Sequence, residues 1–552
     1  MNKVKAFILL AVLILTTATS WGQMYYWVGF SDKMNTPYST AFPEEYLSER
    51  ALERREKQDI PIDSLDLPVD PAYINQVLQL GAVPIHSSKW LNGITVSAES
   101  GDFEEKVREL TFVTEVQLTK KVSQIKSAVN KFAEPVVPEN QLDIDTSFYG
   151  SSVYQVGQLN GQFLHNQDFR GQGMQIAVLD AGFYKANQYS AFDSLWANNQ
   201  ILGTRDFVSR DSNFNIFEMH YHGMSVLSIM GGNQPGELIG TAPRASYWLF
   251  RSEDTYSENI IEEDNWVAAA EYADSLGVDI INSSLGYSLF NDSAMDHTYA
   301  DMDGNTTRVT RGANIAASRG MLVFSSAGNE GSVNNPWKYI IAPSDGDSVI
   351  GVGAANCDGA PAPFTSYGPA SDGDVKPNVS AVGWNTTLQK SNGTIGTGNG
   401  TSYSSPVIAG AAACLWQANP NTTAFQVKSA IEQSAHLFDE PDPLLGFGIP
   451  DMKLADQILK TSVIEQLETL GDWLVYPNPM ADYLVLQKKS KSVSSELKIY
   501  FYTTDGRLVY KVVKPEASKI MMNELQFLPS GLLLLQIVTE EAAETVKIYK
   551  SP

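Results

Sequence analysis

The sequence predicts an α/β domain with a smaller α+β unit before it and a small β-sandwich behind it. Three observations carry the central prediction. The run Gln175-Ile176-Ala177-Val178-Leu179-Asp180 is an apolar strand ending in an acid, followed by Ala181 and the turn residue Gly182; acids at the carboxyl ends of strands in open α/β sheets face the functional crevice. A second strand, Met321-Leu322-Val323-Phe324, runs into the small-residue turn Ser325-Ser326-Ala327-Gly328-Asn329-Glu330-Gly331. Two helices with small contact residues accompany them: HGMSVLSIMGG from His222, and the Ala/Gly-rich segment that follows Gly400. At 552 residues the chain exceeds one ordinary domain.

Taken from the N-terminus, Met1-Asn2-Lys3-Val4-Lys5 is basic and Ala6 to Leu15 is an uninterrupted apolar run. That run is shorter than the roughly twenty residues a membrane-spanning helix needs. Thr16 to Gln23 then turns mostly small and polar, so residues 1–23 read as a secretory signal peptide. No integral membrane segment is expected in the mature protein. Glu44 to Lys57 is a charged, strongly helix-forming stretch; Trp90 to Ala98 and Val113 to Leu118 read as strands, with a helix from Asp102 to Leu110 between them. These make a compact α+β unit. The polar, Pro-containing stretch Lys121 to Leu142 reads as an exposed linker open to processing. At the far end, short strands are predicted at Tyr483–Gln487, Leu497–Thr503, Leu508–Val513, Leu532–Val538 and Thr545–Tyr549, with a hairpin turn at Asp505-Gly506. Strands at this spacing suggest a small β-sandwich.

The chemistry gathers around four residues. Gly400-Thr401-Ser402 places a hydroxyl where a turn enters a helix. There, unpaired backbone N–H groups and the helix dipole favour negative charge, the charge a carbonyl develops under nucleophilic attack. Alone, the tripeptide is an ordinary helix cap. Asp180 adds an acid at a strand end, His222 a base at a helix start, and Asn329 a neutral amide donor suited to an oxyanion. His220 lies two positions before His222, but that spacing shares a strand face rather than a helix face and no third ligand is evident, so zinc is not predicted.

Acid, base and nucleophile occur in the chain order Asp180, His222, Ser402, and residues from about 150 to 460 resemble the subtilisin-like serine peptidases, or subtilases. The resemblance is carried by IAVLDAG around Asp180, HGMSV from His222, SSAGNEG around Asn329 and GTSYSSP around Ser402. Gly240-Thr241-Ala242-Pro243, Ile280-Ile281-Asn282-Ser283-Ser284-Leu285-Gly286 and Phe364-Thr365-Ser366-Tyr367-Gly368-Pro369 add to it. It implies a mostly parallel sheet flanked by helices over residues 150–461, and a serine endopeptidase acting through an acyl-enzyme. Ser402 is the implied nucleophile, His222 the general base, Asp180 its orienting acid and Asn329 an oxyanion donor. Ser284, Leu285 and Gly286 would bind the substrate backbone, the substrates being proteins or peptides. It further implies an N-terminal prodomain, residues 24–130, that masks the enzyme as a zymogen, with residues 131–149 as the linker and processing region.

Two positions depart from the family pattern, Ala181 after the acid and Met224 after His222-Gly223. They suggest the alternative of an inactive surface-binding protein on the same scaffold. The tail, residues 473–552, resembles the C-terminal sorting domain of type IX secretion. That match rests on Tyr476-Pro477-Asn478-Pro479, the hairpin at Asp505-Gly506-Arg507-Leu508-Val509, the turn Leu528-Pro529-Ser530-Gly531 and the terminal Val546-Lys547-Ile548-Tyr549-Lys550. It implies export through the periplasm and outer membrane of a Gram-negative bacterium to the cell surface or beyond, with the type IX machinery as a partner.

A net charge of −24 and a pI near 4.7 argue against nucleic-acid binding. From Trp473 onward, ten Lys/Arg stand against eight Asp/Glu, so the tail is mildly basic while the rest carries −26. The two cysteines, Cys357 and Cys414, both fall in the peptidase-like region, and Cys414 in its apolar helix reads as a buried free thiol. No cofactor is needed for the chemistry. A structural calcium is considered at Asp301-Met302-Asp303-Gly304-Asn305, which lacks the spacing of a calcium loop and reads rather as a polar turn.

Overall fold

In the computed structural model, described residues are 23–121, 131–132, 134–135, 147–209 and 214–468, with the strands and several connections of 473–550. The predicted signal peptide, but for Gln23, and most of the predicted linker lie outside them. The chain divides into two compact units, 1–456 and 457–552.

The first unit opens with a four-stranded antiparallel sheet in the order β2-β3-β1-β4, formed by β1 Met24–Phe30, β2 Val83–Ser88, β3 Gly93–Ala98 and β4 Val113–Lys121. Strand β1, not predicted from the sequence, sits at its centre, and pairing with it carries β4 past the predicted end to Lys121. The predicted helix over Glu44–Lys57 splits. Ser48 accepts the Ala51 N–H at 3.2 Å and starts α1, Glu49–Lys57, afresh, with a single 3-10 turn at Pro43–Glu45 before it. Helix α2, Pro71–Gln79, and α3, Phe103–Arg108, cover one face of the sheet around Val28, Val77, Val96 and Phe103.

The second layer system is a seven-stranded parallel sheet. Its strands are β5 Gln175–Asp180, β6 Ile201–Asp206, β7 Ser246–Arg251, β8 Ile280–Ser283, β9 Leu322–Ser326, β10 Ile350–Ala355 and β11 Val379–Val382, in the order β11-β10-β9-β8-β5-β7-β6. The continuous apolar runs of β5 and β9 follow from burial on both faces by helices. The chain lays down β5, places β6 at the edge and fills β7 in between them, then crosses to place β8 on the other flank of β5. Ligands in such sheets bind beyond the carboxyl ends at this reversal. Asp180, Ser284 and Asn329 all stand at or just past those ends. Helices α4 His222–Gly231, α5 Ile261–Leu276, α6 Arg308–Ser318 and α7 Thr401–Ala418 flank the sheet.

The two parts of this unit meet through charge. Helix α5 is lined with buried acids, and the N-terminal unit supplies partners for several of them. Asp274 receives Arg54 at 2.5 Å, Arg55 at 2.7 Å and Lys89 at 2.9 Å; Asp264 accepts from Thr95; Glu271 accepts the backbone N–H groups of Lys89 and Trp90.

The second unit is a sandwich of two antiparallel sheets. One has the order β12-β13-β16 (Trp473–Tyr476, Leu484–Lys488, Lys519–Met522), the other β15-β14-β17-β18 (Leu508–Lys514, Leu497–Thr503, Gly531–Val538, Ala543–Lys550). Trp473, Leu484 and Ile520 from one sheet and Phe501, Leu533 and Leu535 from the other share its core. All five predicted strands are present, and Gly506, at φ 84°, turns β14 into β15. Strands β12 and β16 escaped prediction because each is only four residues long.

Candidate functional site

The predicted acid and base converge because the backbone lets them. A Cβ on Gly223 would stand 2.6 Å from the Gly182 carbonyl oxygen and 2.7 Å from the Asp180 Cβ, so glycine is needed for α4 to begin against the end of β5. This close approach puts His222 Nδ1 at 2.8 and 3.0 Å from the two carboxylate oxygens of Asp180. Asp180 also accepts the Ala181 N–H at 2.7 Å, and both side chains are buried. Ala181 and Met224, the two departures, are wholly enclosed packing residues. His220 Nδ1 accepts the His222 N–H at 3.3 Å, and burial followed by the neighbouring His222 pushes the His220 pKa down to about 4, so this imidazole stays neutral near pH 7.

Ser402 is the second residue of α7, whose first turn leaves backbone N–H groups without intrahelical acceptors. Pro406 four residues on has no N–H, so the Ser402 carbonyl loses its helical partner; the Ser284 hydroxyl replaces it, donating at 2.7 Å. The Ser402 hydroxyl in turn donates to the Ser284 carbonyl at 3.2 Å, and among the described residues no hydrogen bond joins it to His222. Catalytic hydrogen bonds of this kind are commonly long before substrate binds. Asn329 Oδ1 accepts the Thr401 N–H at 2.8 Å and the Thr401 hydroxyl at 3.1 Å. Since an N–H can only donate, the oxygen is fixed toward Thr401 and the amide N–H₂ is left to face the cleft.

His222, Ser402, Asn329, Ser284, Leu285 and Gly286 all line one cleft of about 1060 Å³. Lys131, Phe132, Glu134 and Pro135 of the chain itself lie in it. The Phe132 ring centre is 4.7 Å from the rings of both His220 and His222. Glu134 accepts from the Tyr403 hydroxyl at 3.2 Å and from Lys390 at 3.1 Å, and the Pro135 carbonyl accepts from Asn399 at 3.0 Å. The Lys131 ammonium enters a group of three acids, Glu253, Glu258 and Glu262, at 3.0 Å from each of the last two. These acids were missed from sequence. Glu262 stands in the acidic first turn of α5, where it reads only as a partner for the helix dipole.

The calcium candidate does not fit. Asp303 spends its carboxylate on the Asn305 and Thr306 N–H groups and the Thr306 hydroxyl, and Asp301 on the Thr298 N–H and hydroxyl, as a polar turn would. Asp347, Asp372 and Asp374 form a separate, exposed acidic group. Cys357 and Cys414 are unbonded to one another, and burial pushes the Cys414 thiol far up, which removes it as a nucleophile.

Three family profiles match the chain in succession. Residues 25–134 match the Peptidase S8 propeptide domain of Bacteroidota, 171–458 the Subtilase family, and 474–551 the Secretion system C-terminal sorting domain. Among curated proteins, Subtilisin NAT of Bacillus subtilis subsp. natto and Subtilisin E of Bacillus subtilis strain 168 are each 27% identical over 386 residues, covering 67% of this chain and 91% of their own. Subtilisin of Bacillus pumilus is 29% identical over 287 residues, 52% of this chain and 92% of its own. A solved chain described as the structure of prenylagaramide maturation protease PagA covers 54% of this chain and 98% of its own, at 22% identity and a TM-score of 0.42.

Proposed function

Because the chain belongs to the subtilase family, we propose that its serine endopeptidase activity runs through Asp180, His222 and Ser402, with Asn329 as oxyanion donor and an acyl-enzyme on Ser402. The protein is a secreted serine-type endopeptidase made as a zymogen, and its sorting domain marks it for type IX export from a Gram-negative cell. The observation that carries the residue assignment is the paired contact of His222 Nδ1 with both Asp180 oxygens, in the same cleft as a serine at a helix N-terminus.

In this mechanism the substrate backbone adds as a strand along Ser284-Leu285-Gly286. Ser402 Oγ turns from the Ser284 carbonyl to His222 Nε2, gives up its proton and attacks the scissile carbonyl. Asp180 holds Nδ1–H and stabilises the imidazolium that forms. The oxyanion is met by the Asn329 amide N–H₂ and the Ser402 backbone N–H; one such donor is worth about 3–4 kcal/mol of barrier. His222 then protonates the leaving amine, and water repeats the sequence on the ester. Every group is a side chain or backbone amide, so no cofactor enters. The C-terminal sandwich is read as the contact with the type IX machinery.

A serine-directed fluorophosphonate tests the assignment. Processed enzyme should label on Ser402, and Ser402→Ala should abolish labelling and lower kcat by about 10⁴ or more. Labelling that persists in Ser402→Ala would exclude Ser402 as the nucleophile.

A further inference from the structure

We infer that Glu253, Glu258 and Glu262 form a specificity subsite for a lysine or arginine side chain lying N-terminal to the cleaved bond. The inference rests on the peptidase assignment and specifies which peptides that site takes. Four observations carry it.

First, the three carboxylates converge, one oxygen from each lying within 4.8 Å of the others. Glu253 and Glu262 are almost wholly buried, and Glu258 forms the partly exposed rim. A buried group of like charges needs a cation among them.

Second, the chain itself supplies one. Lys131 meets Glu258 and Glu262 at 3.0 Å, contacts Glu253, and donates to the Ser257 carbonyl at 2.8 Å. Tyr287 braces the site by donating to Glu253 at 2.9 Å.

Third, the order of the segment's contacts along the cleft puts the lysine before the reacting groups. Lys131 precedes Phe132, which lies against His222, and Glu134 follows on the far side at Tyr403 and Lys390. The lysine is therefore upstream of the reacting groups. The acids share the cleft lined by Ser284, Leu285 and Gly286.

Fourth, one lysine does not balance three carboxylates: burial and the neighbouring Glu253 push the Glu262 pKa well up, and burial pushes Glu258 up to about 7, so protons stand in part where a second cation would. Glu262 Oε1 is buried and accepts no hydrogen bond among the described residues. A guanidinium, with five N–H donors in a planar fork, can reach a second acceptor where an ammonium leaves one open. Arginine should be accepted at least as well as lysine.

The test uses processed enzyme and internally quenched peptides that differ at one residue, with Lys, Arg, Gln or Glu placed at each of the four positions upstream of the cleaved bond. At one position, Lys and Arg should raise kcat/KM about ten- to a hundredfold over Gln, and Glu should fall below Gln. Glu262→Gln and the rim variant Glu258→Gln should each shrink the Lys-to-Gln ratio, with circular dichroism reporting that the variants are folded. Hydrolysis with a Lys-to-Gln ratio within twofold of one at all four positions overturns the subsite and leaves the peptidase standing. So does a ratio unchanged in both folded variants, or one abolished by added calcium, which would make the acids a metal site. Failure to cleave any peptide overturns the peptidase assignment and the subsite with it.

Discussion

Basic residues of the N-terminal region enter the acidic face of the peptidase domain at two places, and the two are built differently. Around Asp274, Arg54 and Arg55 come from successive residues of helix α1 and Lys89 from the turn after β2, all on elements with their own packing. Around Glu253, Glu258 and Glu262, one lysine arrives on a segment outside the strands and helices of the fold. The first contact has several cations on one acid; the second has one cation on three acids. Fixed cations with a shared acid hold two bodies together. A lone cation in excess acid marks a place where one chain can be exchanged for another.

Removing the acid at the first site should have the largest effect. Asp274→Asn, in a full chain silenced by Ser402→Ala, leaves Arg54 and Lys89 without their charge partner, while Arg55 keeps Asp66, and should cost about 3–5 kcal/mol of unfolding free energy, read from denaturant midpoints. A midpoint unchanged within error would mean that the cluster does not hold the bodies together.

Acid should act next at the same place. Burial works to raise the Asp274 pKa, but Lys89, Arg54 and Arg55 outweigh it and hold the carboxyl well below the usual carboxylate range. Since the folded value lies below the unfolded one of about 4, the stabilisation is present above about pH 4 and is lost as pH falls further. Denaturant midpoints of the silenced chain should therefore drop steeply below about pH 4, and Asp274→Asn should flatten that drop.

Lys131→Gln should act on access to the cleft. Without its charge the segment leaves the cleft more readily, so fluorophosphonate labelling of the unprocessed chain should speed up about tenfold. An unchanged labelling rate would show that Lys131 does not keep the segment seated. The smallest effect belongs to Lys106→Gln, which breaks an exposed pair with Asp102 at 2.7 Å on α3 and should leave the melting midpoint unmoved.

The residues legible in the sequence were those whose local setting already implies a function. Asp180 ends an apolar strand, His222 opens a helix and Ser402 follows a glycine turn, so each could be placed without knowing what it touches. Ser284 entered through the family resemblance, as an expected substrate-binding residue, and its contact with Ser402 was not foreseen. Its hydroxyl satisfies the Ser402 carbonyl that Pro406 leaves open, a link across 118 residues. The helix at Glu44–Lys57 was too long by one cap, because Ser48 competes locally for the backbone. In the tail, five strands were legible as short runs set off by turn signals, whereas two four-residue strands carry too little pattern to stand out.

The sequence by itself determined the order of modules, the four candidate site residues and the need for close packing behind Ser402. Those features lie in segments a few residues long, where strand burial, turn glycine and helix entry leave marks in composition. Only the tertiary structure decided that Gly223 lets His222 reach both oxygens of Asp180, and that Glu253, Glu258 and Glu262 gather around Lys131. The acids are spread over a loop and the first turn of a helix, and their partner lies more than a hundred residues earlier. Side-chain charge is visible in a sequence; which charges share one buried volume depends on how the chain crosses from β7 into α5 and brings Lys131 into the cleft.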